Sequence, residues 1–190
     1  MIRPHNRSSS PGGRSAGHAG CAGYPTGSSR SAPWLFLSRS TLPYQEGAAA
    51  SLATVEQVAA AGADVVIVQL HGGYQFADVP SEFLTQAARS SIDAGADLVV
   101  GHHPHVLQGF EWYRDALIAY SLGNFVFDQD FLSTFASVVL RTVFEGDRLV
   151  EARVFPITLE NYRPVPLAGR AADRLLRMLD VGSTGDRVSM

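Results

Sequence analysis

One seven-residue phrase occurs twice in this chain. Ala61-Gly62-Ala63-Asp64-Val65-Val66-Ile67 returns as Ala94-Gly95-Ala96-Asp97-Leu98-Val99-Val100. Each copy reads as the end of a helix, a tight turn at glycine, then an aliphatic strand. Each strand leads into histidine, His71 in the first case and His102, His103 and His105 in the second. An unbroken aliphatic run is the pattern of a strand covered on both faces. Two such units in series make a βαβ crossover, whose strands are parallel and adjacent. Their C-terminal ends then share one edge of the sheet, the edge at which open α/β sheets bind ligands. The crossover therefore delivers His71 and the 102–105 cluster to one rim.

The remaining pattern is consistent with an α/β chain. Trp34 to Ser38 reads as a short strand. The Ala-rich stretch 48–61 reads as a helix, with Leu52, Val55, Val58 and Ala59 at helical spacing and Gly62 as its stop. A second helix is expected from Ser81 to Ala94, with Ser81 as N-cap and Phe83, Leu84, Ala87, Ala88 and Ile92 as its apolar side. Ala116 to Tyr120 reads as a strand and 121–124 as a turn. The runs 137–144 and 148–157, separated by Glu145-Gly146-Asp147, give a hairpin signal. A short helix is expected over 171–179, with Leu175, Leu176 and Leu179 on one side.

Composition narrows the chemistry. Apolar residues make up 46% of the 190, enough for a buried core. The formal net charge of −3 gives no footprint for nucleic acid. Cys21 is alone, which excludes an internal disulfide framework and a Cys-rich zinc knuckle. No aliphatic run approaches the ~20 residues of a membrane-spanning helix. Charge is also segregated. Residues 1–40 carry Arg3, Arg7, Arg14, Arg30 and Arg39 and no acid, and they are rich in Gly, Pro and Ser. All the acids lie beyond residue 40. The head, 1–32, reads as a disordered basic low-complexity segment without the apolar core of a secretory signal. Its composition also suggests a misread or shortened gene start. A folded domain is expected over 33–165, followed by a C-terminal helix and tail over 166–190.

A metal site in such a chain must use His, Asp, Glu and Asn. Alternate residues of an extended segment point to one side, so His103 and His105 are expected to converge while His102 points away. Pro104 keeps the segment out of helix and biases His103 towards extended backbone. Three neutral imidazoles facing one pocket suit Zn, Mn or Fe better than Ca or Mg. Taken alone, His71 is more simply an ordinary hydrogen-bonded residue. Three imidazoles within four positions have no packing purpose, which weighs the cluster towards a site. His5 and His18 lie in the head.

Three blocks carry a resemblance. They are Asp64-Val65-Val66-Ile67-Val68-Gln69-Leu70-His71-Gly72-Gly73, then 93–108 with Gly101-His102-His103-Pro104-His105, then Ile118-Ala119-Tyr120-Ser121-Leu122-Gly123-Asn124-Phe125-Val126-Phe127-Asp128. In this order they resemble the C-terminal half of the bacterial CapA family, the poly-γ-glutamate capsule-synthesis proteins. The likeness is strong over the blocks and looser over 33–160. It implies a calcineurin-like metallophosphoesterase-type layered β-sandwich with flanking helices, here lacking part of its N-terminal side. It also implies a two-metal site at strand ends, with His71, His103 and His105 as metal ligands. The family's earlier motifs, a Gly-Asp and an Asn-His pair, have no counterpart before Asp64. Gly72 and Gln75 stand where the family commonly has Trp and Glu.

Two dications ~3.5–4 Å apart need bridging oxygen ligands, and imidazoles bring no negative charge. A single divalent transition metal, or none, is therefore expected. Asp128 is the best local carboxylate for it and Asp78 the second, although either suits a solvated loop equally. Asn124 could lend a carbonyl oxygen or polarise substrate, but Gly-Asn at a strand end more simply makes a turn. His102 is the one spare imidazole for protonating a leaving oxygen, the catalytic role. The expected function is capsule biosynthesis with a metallophosphoesterase-type His site acting on phosphoesters. The alternatives are a non-catalytic accessory that binds an anionic polymer or other capsule-assembly proteins, and an inactive fragment. An open sheet edge beside Val65–Leu70 is expected too.

Overall fold

The computed structural model describes residues 34–39 and 55–181. The head 1–32 and the first part of the helix expected over 48–61 lie outside the described residues; residues 55–60 are helical and close on the Ala61–Gly62 turn. Among the described residues eight strands form two sheets. The first runs in the order β1 (Trp34–Arg39), β2 (Val65–His71), β3 (Leu98–His102), β5 (Ala116–Leu122), β4 (Leu107–Tyr113). Its first four members in that order pair in parallel, and β4 returns antiparallel on β5. The second sheet is antiparallel: β6 (Ala136–Glu145), β7 (Arg148–Glu160) and β8 (Arg163–Pro166).

The repeated phrase explains the crossover in detail. Gly62 and Gly95 both take positive φ, +84° and +110°, and each reverses the chain from helix into strand. At Gly95 a Cβ would stand 3.0 Å from that of Ala59, so the glycine also lets two helix ends approach. Asp97 then ties the units together. Its Oδ2 accepts from the Val66 N–H at 2.8 Å, and its own N–H donates to the Val66 carbonyl at 2.8 Å. The Glu82–Asp93 helix between them starts on Ser81, whose Oγ accepts from the Leu84 N–H at 3.2 Å.

Strand alternation sends side chains to two cores. Val66, Val68, Val99, Ile118 and Tyr120 face Leu84, Ala88 and Ile92 of the helix and Val55. Leu98, Leu117, Ala119 and Phe110 face Val138 and Leu149 of the second sheet and Leu175 and Leu179 of the Gly169–Val181 helix. This is the expected mixed α/β sandwich, with helix on one face of the parallel sheet and a second sheet on the other.

Four expectations change. The edge beside Val65–Leu70 is not open: β1 pairs with it along its whole length, Trp34 with Val65 through Arg39 with Leu70. β5 runs on to Leu122, so the turn begins at Gly123 rather than at Ser121. The sequence pattern gave no sign of β4, whose Gly109, Glu111 and Gln108 break an aliphatic reading, nor of β8, a short strand bearing two prolines. The His103-Pro104-His105 segment is not extended. His103 has φ of +105° and His105 of +63°, both in the region that favours glycine.

Candidate functional site

The site sits where β2 and β3 end. His71 and His102 are register partners, and the Gly72 N–H donates to the His102 carbonyl at 3.0 Å, so the parallel ladder continues to the rim. β3 lies close against β5 because residue 101 is glycine. A Cβ there would overlap the Tyr120 carbonyl oxygen and stand 2.9 Å from its carbon. Beyond His102 the chain folds over buried Pro104, whose carbonyl accepts from the Phe76 N–H at 2.8 Å. The loops after the two strands are thereby joined.

The left-handed turns at 103 and 105 bring the imidazoles together by a different route from the one alternation suggests. His103 Nδ1 lies 3.2 Å from His71 Nε2, and the two rings meet edge to face with centroids 4.9 Å apart. One of these nitrogens must donate and the other accept, so the pair shares a proton. The His103 and His105 rings are 6.0 Å apart. His105 Nδ1 lies 2.8 Å from Asn124 Oδ1, and Asn124 Nδ2 donates to Gln129 Oε1 at 3.0 Å. Burial, and then His71 and His105 beside it, hold the His103 imidazole below the ordinary histidine range. Burial, and then His71, do the same to His102. Both favour the neutral ring that a transition metal requires.

His102 differs from the others in access. Its Nε2 is buried and has no hydrogen-bond partner among the described residues. A general acid must hold a proton and reach its substrate, and neither condition follows from this placement. Asp128 is exposed. Asp78 is exposed as well. Among the described residues no group of three His, Cys, Asp or Glu side chains is placed to hold a metal. The donor chemistry can still be compared with a metal's needs. Zinc–imidazole bonds of about 2.0–2.1 Å at tetrahedral angles put two ligating nitrogens ~3.3 Å apart. The 3.2 Å His71–His103 separation is close to that spacing, and among the described residues the pair belongs to no metal-holding group of three or more side chains.

Sequence reading missed the aromatic collar. The Phe127 ring lies 4.7 Å from His105 and tilted to it, Phe76 lies 6.4 Å from it, and Phe131 is 5.2 Å from Phe76. Phe76, Phe127 and Phe131 are all exposed large apolar side chains, as are Phe125 and Leu132 beside them. Three aromatics in 125–131 were the available signal. Gln108 was missed too. From β4 its Nε2 donates to the carbonyls of Ala77 and Val79 at 2.8 and 3.0 Å, which pins the loop that follows His71.

Comparison with known proteins decides the kinship. The family model for the bacterial capsule synthesis protein PGA_cap matches residues 6–129. The chain belongs to the PGA_cap family. The match begins inside the basic head and ends just after the third block, so it lies further towards the N-terminus than the 33–160 span. It takes in His71, His103, His105, Asn124 and Asp128 together, and the PGA_cap fold is metallophosphoesterase-like. Over 105 residues the chain is 42% identical to the PGA biosynthesis protein CapA of Bacillus subtilis (strain 168) and 40% identical to the capsule biosynthesis protein CapA of Bacillus anthracis. That stretch is 55% of this chain and 28% and 26% of those relatives. An uncharacterized protein, y4sH, of Sinorhizobium fredii is 41% identical over 98 residues, 52% of this chain and 21% of its own. The chain thus matches about a quarter of the length of these relatives. No helix among the described residues is long and apolar enough to cross a membrane.

Proposed function

We propose that this protein serves in the synthesis of an anionic capsule polymer and that the histidine rim is its working site, taking one divalent transition metal and acting on a phosphoester. The observation that carries the reading is the 3.2 Å approach of His71 Nε2 to His103 Nδ1 at the carboxyl edge of the parallel sheet. Support also comes from the relatives named for capsule and PGA biosynthesis. His71 and His103 would hold the ion, with His105 beside them. A bound Zn, Mn or Fe ion would polarise a phosphoryl oxygen and bring the pKa of water towards neutrality. The chain's own part is to keep His103 neutral, to orient His105 through Asn124, and to flank His105 with the rings of Phe76 and Phe127.

A second reading has its own support. No carboxylate joins the histidines in a metal-holding group among the described residues. A centre without bridging oxygens suits one weakly held ion better than two, and a single ion that binds phosphate or carboxylate can hold a polymer without turnover. Calorimetric titration of the metal-free chain with Zn²⁺ and Mn²⁺, followed by p-nitrophenyl phosphate turnover, separates the readings. Binding at one equivalent, lost in H71A and H103A, together with turnover lost in the same variants, supports the hydrolase. The same binding without turnover supports the accessory role. Wild-type heat of binding unchanged in both variants would remove the metal site from either.

A further inference from the structure

We infer that Asn124 is a positioning residue that sets the tautomer of His105, holding the proton on Nδ1 and leaving the lone pair on Nε2. Asn124 is only 6% exposed, so its amide must find its partners inside the protein. Its Nδ2 donates to Gln129 Oε1 at 3.0 Å. With the amide nitrogen committed to Gln129, the atom turned to His105 is the carbonyl Oδ1, at 2.8 Å from Nδ1. A carbonyl oxygen can only accept, so Nδ1 carries the hydrogen. In a neutral imidazole the other nitrogen is then the acceptor. That atom is Nε2, across the ring from Asn124.

The backbone is built to present this amide. Gly123, with φ of +77°, turns the chain out of β5, and a Cβ there would stand 2.8 Å from the Ala136 carbonyl oxygen and 2.9 Å from Ser137 Oγ. Ser137 Oγ donates to the Leu122 carbonyl at 2.6 Å, and the Gly123 N–H donates to Ser121 Oγ at 3.3 Å. Asn124 is therefore delivered to a fixed place by packing against β6. His105 is held on its other sides by Phe127 and Phe76. A ring so confined has one nitrogen available to an incoming group, and the amide relay from Gln129 decides which form of that nitrogen is offered. Outer partners of this kind orient histidine ligands and nucleophiles and fix their tautomer.

The relay also has a weak point. If both amides turned over, Gln129 would donate to Asn124 and Asn124 would donate to Nδ1, which leaves the opposite tautomer. Asn124 cannot do this alone without losing a bond at one end. The Asn124–Gln129 bond therefore ties the two amides, which can turn over only together.

The test uses the whole ¹⁵N-labelled chain, stripped of metal with a chelator, at pH 8. Long-range proton–nitrogen correlation spectra read the tautomer of His105 directly. Wild type is expected to show Nδ1–H. N124A is expected to lose that signature and move to the Nε2–H form that free histidine prefers, with the His71 and His103 resonances in place. N124D, whose carboxylate also only accepts, is expected to keep Nδ1–H. Q129L is expected to give a mixture. If N124A does not fold, N124D and Q129L carry the test alone. An Nε2–H form in wild type, or an unshifted Nδ1–H population in N124A or Q129L, overturns the assignment. Because no metal is present, failure of the zinc titration would remove the proposed function and leave this inference standing.

Discussion

Gly101→Ala is the sharpest single perturbation, because one methyl group is set against a backbone rather than a side chain. A Cβ at 101 would overlap the Tyr120 oxygen and lie 2.9 Å from the Tyr120 carbonyl carbon and 3.3 Å from its Cα. None of these atoms belongs to a flexible side chain, so no rotamer change relieves the clash. The strands must move apart by ~1 Å from their ~4.8 Å spacing, which strains the ladder that pairs Val100 with Ala119. Overpacking of this kind costs ~1–3 kcal/mol, and the backbone partner puts this case at the upper end, about 3 kcal/mol. For a chain of this size that corresponds to a fall in Tm of roughly 6–12 °C. Gly72→Ala is the matched control. A Cβ at Gly72 meets nothing within 4 Å and its φ is ordinary, so a change within about 0.5 kcal/mol is expected. Urea unfolding of both variants measures the difference. The same shift should spread to the rim, since His102 follows residue 101 directly, and His71–His103 proton spectra should broaden in G101A only. If G101A is as stable as wild type, or G72A as unstable as G101A, the close approach of β3 and β5 is not what requires the glycine.

The other expectations concern the core and the titrating groups. Leu84 is fully buried between the helix and the parallel sheet, so Leu84→Ala should cost ~2–5 kcal/mol in urea unfolding. Glu111, buried on β4, accepts from the Tyr120 hydroxyl and pairs with Arg89 at 2.8 Å. A Glu111→Ala and Tyr120→Phe double-mutant cycle should show a coupling of about 1.5–3 kcal/mol, because the bond is to a charged group out of water; a coupling near zero would contradict it. Burial and the Glu111 bond push the Tyr120 phenol far up, so its ultraviolet titration should not appear below the alkaline unfolding transition. His102 and His103 are both held below the ordinary value of 6.5 in the folded chain. The unfolded chain therefore takes up protons first as pH falls. Stability of the metal-free protein should be level above pH 6.5 and decline below it, until the folded rings protonate too. His102→Gln should flatten that decline.

How much of this was legible depends on the range of the interaction concerned. The twofold Ala-Gly-Ala-Asp phrase made the crossover readable, because a glycine turn and a β-branched run are local preferences that need no partner. Ser81 as a cap, the Gly146 hairpin and the three histidines at one rim were readable for the same reason. β4 was not, since its Glu111 and the Gln108 amide nitrogen are acceptable in a strand only once Arg89, Tyr120 and the Ala77 and Val79 carbonyls are there to pair with them. The rim histidines were placed at the right edge by an argument whose last step was wrong. Alternation in an extended segment was expected to converge His103 and His105, and the chain instead uses two left-handed residues around a buried proline.

From the residues alone came the parallel strand pair, the edge to which the imidazoles go, and the kinship carried by three ordered blocks. Packing alone decided which nitrogens meet, which aromatic rings lie against His105, and which amide faces it. The division follows from distance along the chain. A turn or a strand is a property of a few neighbours, whereas a hydrogen bond between residues 71 and 103, or 105 and 124, exists only after the sheet has been assembled and the water between them removed.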